Sequence, residues 1–189
     1  MSIFRDGLKL KDECSVSVTR KTSPMKDFFN PEGKFQCEHR RAGKLVTIYD
    51  WFNTIMDAAV NSLWNTMFNA ASQVSAGSWV ISLISGASFS AISAADTMGS
   101  HAGWLEMTGY SEAVRQPWGQ GSAAARAITN ASPVLFTSSG TATVNGMFIT
   151  SQNTKAGTTG LLWCAGQFTG GPASVVLNDE LRVTYAAGG

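Results

Sequence analysis

The chain has 189 residues, room for one domain and an appendage, and only 14% of them are charged, against about a quarter in an ordinary soluble domain. A net charge of +1 excludes a globally basic nucleic-acid binder, and the three cysteines, Cys14, Cys37 and Cys164, have neither the even count of a disulfide framework nor the spacing of a zinc site. The charge is lopsided: residues 1–44 hold ten Lys/Arg against six Asp/Glu, net +4, whereas residues 45–189 hold four against seven, net −3.

Residues 1–44 read as an extended N-terminal arm. They are polar, carry Pro24, Pro31 and Gly33, and have few apolar residues at regular spacing; a short strand is expected over 15–20, where Val16 and Val18 alternate with polar residues. Acidic residues interspersed with the basic ones argue against direct nucleic-acid binding, which leaves two readings: a solvated, mobile terminus, or a segment that orders on a partner surface. The opening MSIFRDGLKLKDE has no apolar run of a secretory signal, so the expectation is a protein made in the cytoplasm with reduced cysteines.

The body begins with a strand, LVTIY (45–49). A helix over about 51–68 follows, because Phe52, Ile55, Met56, Ala59, Leu63 and Met67 form one apolar stripe. Asp50 is placed to cap it, and the polar run from Asn69 to Gly77 ends it. No charged residue or His lies between Asp57 and Asp96, but Asn, Ser and Gly break that stretch, so it is not a membrane span. Strands are then expected at 79–84, 133–139, 141–150, 161–168 and 180–186, punctuated by Ser, Thr, Gly, Asn and Asp. The whole predicts a mainly β protein: a β-sandwich or jelly-roll-like body over 45–189 with one early amphipathic helix. A body this poor in charge also needs much of its surface covered by other subunits.

Chemistry is concentrated in DTMGSHAGWLEMTGYSEAVRQPW, residues 96–118. Only His39 and His101 can act as imidazole bases, and no GxSxG elbow is present, so a nucleophilic triad is not supported. Glu106 and Glu112 could in principle serve as the carboxyl pair of a glycosidase, but Arg115 is at hand to neutralise either. Asp96, His101 and Glu106 are metal-ligating types without a metal-ligating spacing. The expectation is therefore no enzyme, no cofactor and a loop pinned in shape by His101, Trp104, Glu106, Tyr110, Glu112 and Arg115. Six Trp and three Tyr leave room for a sugar-stacking platform. Trp79, Trp104 and Trp163 read equally as core, and Trp51 and Trp64 as neighbours of a second subunit.

In context the same stretch resembles a group of tailed-bacteriophage virion proteins. The resemblance is carried by Ala94, Ala95, Asp96 and Thr97, by Ser100, His101, Gly103, Trp104 and Glu106, and by Tyr110, Ser111 and Arg115. The closing residues Asn178, Asp179, Leu181, Val183, Thr184 and Tyr185 are similar to the group's last strand. It covers about residues 43–189 and implies a virion structural protein, a capsid decoration or cement subunit on the capsid surface. Its partners would be the major capsid protein and copies of itself, as a homotrimer, with no membrane and no direct nucleic-acid contact. The alternatives are a head-fibre, connector or tail component, or a carbohydrate-binding module on the virion. On this reading the arm orders on the capsid by strand addition and basic contacts, with Arg20, Lys21, Phe28, Phe29, Arg40 and Arg41 as the partner-binding residues.

Overall fold

The computed structural model describes residues 31–188. In chain order its elements are β1 (Glu32–Arg41), β2 (Lys44–Phe52), β3 (Thr54–Ile55), α1 (Asp57–Phe68), β4 (Val80–Ser85), β5 (Glu106–Met107), β6 (Gln116–Pro117), β7 (Ala127–Thr129), β8 (Val134–Thr137), β9 (Ala142–Thr150), β10 (Leu162–Gln167), β11 (Ala173–Val175) and β12 (Glu180–Gly188). They form two antiparallel sheets. The first runs β2-β1-β12, with β7 and β8 both pairing with β12. The second runs β3-β10-β9-β4-β5, with β11 also on β9 and β6 also on β4. The expected β-sandwich is what the chain forms.

Residues 32–44, expected to belong to the arm, are part of the sandwich instead. Glu32–Arg41 is an interior strand, paired with β2 on one side and β12 on the other. Its inward residues Phe35, Cys37 and His39 are buried, while Lys34, Gln36 and Glu38 point outward. This is a half-buried strand with period two, hidden in the sequence because its outward residues are charged. Residues Ala42 and Gly43 turn β1 into β2, and both have positive φ, 48° and 75°. A two-residue hairpin turn of that hand matches the twist of the flanking strands. Of the residues assigned to the arm's partner contacts, Arg20, Lys21, Phe28 and Phe29, like the strand expected over 15–20, lie outside the described residues.

The helix also starts later than its apolar stripe indicates. Residues 50–55 belong to β2 and β3, and α1 runs from Asp57 to Phe68. Asp50 is therefore no cap; it faces Gln36 and Lys34 across the sheet. The residue at the cap position is Met56, which offers no side-chain bond. The backbone supplies partners instead: Asp57 N donates to the Ala94 carbonyl in the 86–105 connection at 2.9 Å, and Met56 N to the Trp163 carbonyl on β10 at 3.0 Å. Only Met56 and Ala59 of the stripe are fully buried, and Phe52 and Met67 are 71% and 58% exposed.

Two apolar clusters hold these layers together. Between the sheets lie Phe35, Trp51, Leu83, Met147, Cys164, Val183 and Tyr185, among others. Phe35 stacks on Trp51 with ring centroids 5.2 Å apart and tilts against Tyr185 at 4.5 Å. Outside the second sheet, Met56 and Ala59 of α1 and Met98 and Trp104 of the 86–105 connection cover Ile84, Phe148, Leu162 and Ala165. Both faces of β4 and β9 are thus covered, which explains why these strands are buried nearly throughout rather than at every second residue.

Candidate functional site

The 96–118 stretch crosses the outer face and one edge of the second sheet. It touches down twice, as β5 and β6, both on the edge of β4. Gly103 makes the first approach possible, because its carbonyl accepts Ser90 N at 2.8 Å while a Cβ there would run into the Ala91 carbonyl. His101 Nδ1 donates to the Trp104 carbonyl at 2.9 Å, and the two rings stack with centroids 4.0 Å apart. Trp104 is buried, and its Nε1 donates to Asp96 Oδ2 at 2.9 Å.

Glu106 and Arg115 form the centre of the arrangement. Arg115 Nε donates to Glu106 Oε1 at 2.9 Å and Nη2 to Oε2 at 2.7 Å, a two-pronged pair with Arg115 wholly buried. The remaining capacity on each side is also used. Glu106 accepts Ser82 Oγ at 2.6 Å and Ala156 N at 2.8 Å. Arg115 donates to the carbonyls of Gln152 at 2.8 Å and Gly157 at 2.9 Å, and its guanidinium carbon lies 5.3 Å from the centre of the Phe148 ring. Glu112, the other partner considered for Arg115, instead takes Thr137 N at 3.0 Å on the first sheet.

Tyr110 sits beside this pair. Its hydroxyl is 3.2 Å from Ser82 Oγ, and burial pushes its phenol up to about 12 against the opposing pull of that hydrogen bond. Lys155 lies over the ring at 3.7 Å and donates to the Tyr110 carbonyl at 2.7 Å. Partial burial lowers the Lys155 ammonium from its usual value, with Glu112 and Glu106 working the other way. The sequence motif thus supplies half of a tie whose other half is Ser82 and the 152–157 loop.

A carboxylate bound by four donors has no free lone pair directed at a substrate, so Glu106 is not poised as an acid or base. The ligand types Asp96, His101 and Glu106 are each engaged separately, and among the described residues no three His, Cys, Asp or Glu group as metal ligands. The thiols of Cys37 and Cys164 are buried and unpaired with each other. Burial pushes the Cys164 thiol up to about 12 and the Cys37 thiol up as well, with Glu38 adding to the latter, which leaves both protonated and unreactive.

A second polar tie was not legible from sequence. Asp179 is 1% exposed and accepts His39 Nε2 at 2.8 Å, Arg41 Nη2 at 2.7 Å and Val176 N at 3.0 Å. Arg41, assigned above to partner contacts, is therefore committed within the chain, and Arg40 pairs with Glu38 at 2.9 Å. The sequence offers only a lone His39 and an Asn178–Asp179 pair of turn-forming type, and the structure makes that pair a turn with Asn178 at φ 65°.

The Arg41 hydrogen bonds hold the Asp179 carboxyl well below the usual range, assisted by Val176 N and His39 and opposed by burial. In the unfolded chain this group titrates near about 3.9, so below that value the unfolded state binds the proton more readily. The stability from Asp179 is complete above about pH 5 and is lost as pH falls through the depressed native value. Thermal unfolding followed from pH 7 to pH 2 is expected to show a steep acid limb that Asp179→Asn flattens. An unchanged limb would refute this assignment.

Fold and loop together define a β-sandwich in which two buried polar ties, at Glu106–Arg115 and at Asp179, hold strands and loops to one another. Comparison of the chain with protein families, with curated proteins and with solved structures finds no match in any of the three.

Proposed function

We propose that the chain is a tailed-phage virion structural protein of the capsid-decoration kind, acting by burying its outer faces against copies of itself and against capsid subunits. The observation that carries the reading is a largely apolar set of exposed residues on a strand that, among the described residues, ends its sheet. This strand is β2, and Leu45, Val46, Ile48 and Phe52 on it are 50%, 52%, 47% and 71% exposed. Monomers blunt such edges with charge or proline; an edge left long and apolar fits pairing with another chain. The low charge of the body and the resemblance of residues 94–115 to phage virion proteins support the same reading. Many modest contacts spread over a large area, rather than a reactive cleft, are what a cement subunit uses.

Light scattering on the purified chain should give an oligomer, and electron cryo-microscopy of the particle should place it on the capsid. Ile48→Lys is expected to yield monomers that melt at the wild-type temperature but no longer decorate capsids. A chain that is monomeric as purified and fails to join particles would overturn the proposal. An arm truncation has to stop before Glu32, because β1 begins there. Removing residues 1–30 is expected to weaken capsid binding, and undiminished binding would remove the arm's part.

A further inference from the structure

Away from the Glu106–Arg115 tie, where the 96–118 stretch ends at Trp118, the sandwich has a cavity of about 380 Å³, within the size range of small-ligand sites. Three indoles line it: Trp79 just before β4, Trp118 just after β6 and Trp163 on β10. From this geometry we infer that the cavity is a binding site for a neutral pyranose, one sugar ring of a glycan. The inference is independent of the virion reading.

Trp163 reaches the cavity through a backbone irregularity. The register of β10 on β9 shifts between Leu162 and Cys164, so Trp163 is the extra residue of a bulge, a device that re-aims a side chain. Its ring is then fixed, since Nε1 donates to the Tyr185 hydroxyl at 3.0 Å. Trp118 is fixed likewise by Nε1 donating to Asn130 Oδ1 at 2.9 Å, and Asn130 is itself held by Tyr185 N at 2.8 Å and the Val183 carbonyl at 2.9 Å. Trp79 meets Trp163 edge-on with centroids 6.1 Å apart. The walls are thus rigid aromatic surfaces with little ordering left to be done on binding.

The polar groups at the mouth are of the opposite kind. Gln73 and Gln120 line the cavity, and neither carboxamide is engaged by another side chain or by the backbone among the described residues. Each offers a donor and an acceptor. Among the described residues no charged side chain lines the cavity. A ligand that matches has an apolar face for the indoles, a rim of hydroxyls for the carboxamides and no net charge, which is the chemistry of a neutral pyranose. An ionised sugar would have to leave its charge unpaired there.

Titration of the full chain with neutral methyl hexosides, followed by indole fluorescence and saturation-transfer NMR, tests this. At least one hexoside is expected to bind saturably, with its ring C–H protons receiving the transfer. Gln120→Ala should weaken binding about three- to tenfold while leaving the melt unchanged, and Trp79→Ala should abolish it. Glucuronate and sialate, the charged controls, should bind more weakly than the neutral hexosides. The assignment is overturned if no neutral hexoside saturates, if a charged sugar binds more tightly, or if Gln120→Ala and Trp79→Ala bind as the parent does.

Discussion

Arg115→Met is expected to destabilise the protein by about 3–5 kcal/mol, because it leaves the Glu106 carboxylate buried without its counter-ion. For a domain of this size each kcal/mol moves the melting point by about 2–4 °C, so the loss should read as a fall of roughly 10–15 °C. The Met chain keeps the packing on Phe148 but abandons the carbonyls of Gln152 and Gly157, which Arg115 satisfies in the native fold. Arg115→Lys is expected to rescue little, since an ammonium cannot span both carboxylate oxygens and two carbonyls at once. The double variant Glu106→Leu with Arg115→Met should recover part of the loss, because two apolar groups cost less than one orphaned charge. Recovery stays incomplete, as Ala156 N and Ser82 Oγ lose the acceptor they had in Glu106. Equal melting points for the parent and Arg115→Met would show that the pair is not the centre of the loop's stability.

How much of this was legible beforehand depends on whether a signal was local. β2, β4, β8, β9, β10 and β12 carry their strand signal in their own residues, by alternation or by a short apolar run, and all six fall where a strand is predicted. β5 and β6 have two residues each and β7 and β11 three, too few to show a period. They are set by the strand they dock on. The helix stripe misled because Phe52 and Ile55 lie on strands that happen to continue its spacing, so residue type could not mark where strand ends and helix begins. In the loop, residue types revealed that Arg115 had a carboxylate nearby, but not that Glu106 rather than Glu112 would take it. The choice follows from β5 lying on β4, which brings Glu106 to Ser82. The 152–157 carbonyls were illegible for a simpler reason, that every residue has one. Asp179 finds His39 across 140 positions of chain, and only the closing of β12 onto β1 creates that neighbourhood.

The second large effect is expected at Trp104, and its locality is the informative part. Trp104→Ala removes a fully buried indole, for which losses of about 3–5 kcal/mol are usual. It also strips Asp96 of the Nε1–H it accepts and His101 of the ring it stacks on. The cluster affected, with Met56, Met98, Phe148 and Leu162, lies on the outer face of the second sheet and is distinct from the core between the sheets. Damage there should loosen the 86–105 connection and α1 before the sandwich itself opens, as expected when local stabilities differ across a fold. Limited proteolysis is therefore expected to cut Trp104→Ala first within 86–105, while amides of β1 and β12 retain their protection in hydrogen exchange. Trp104→Phe separates the two contributions. It keeps most of the apolar contact with Phe148 and drops only the hydrogen bond to Asp96, so a smaller loss of about 1–2 kcal/mol is expected. If Trp104→Ala instead unfolds both layers together at one temperature and with one exchange rate, the two clusters are a single cooperative core. The loop would then be part of the body rather than a layer laid upon it.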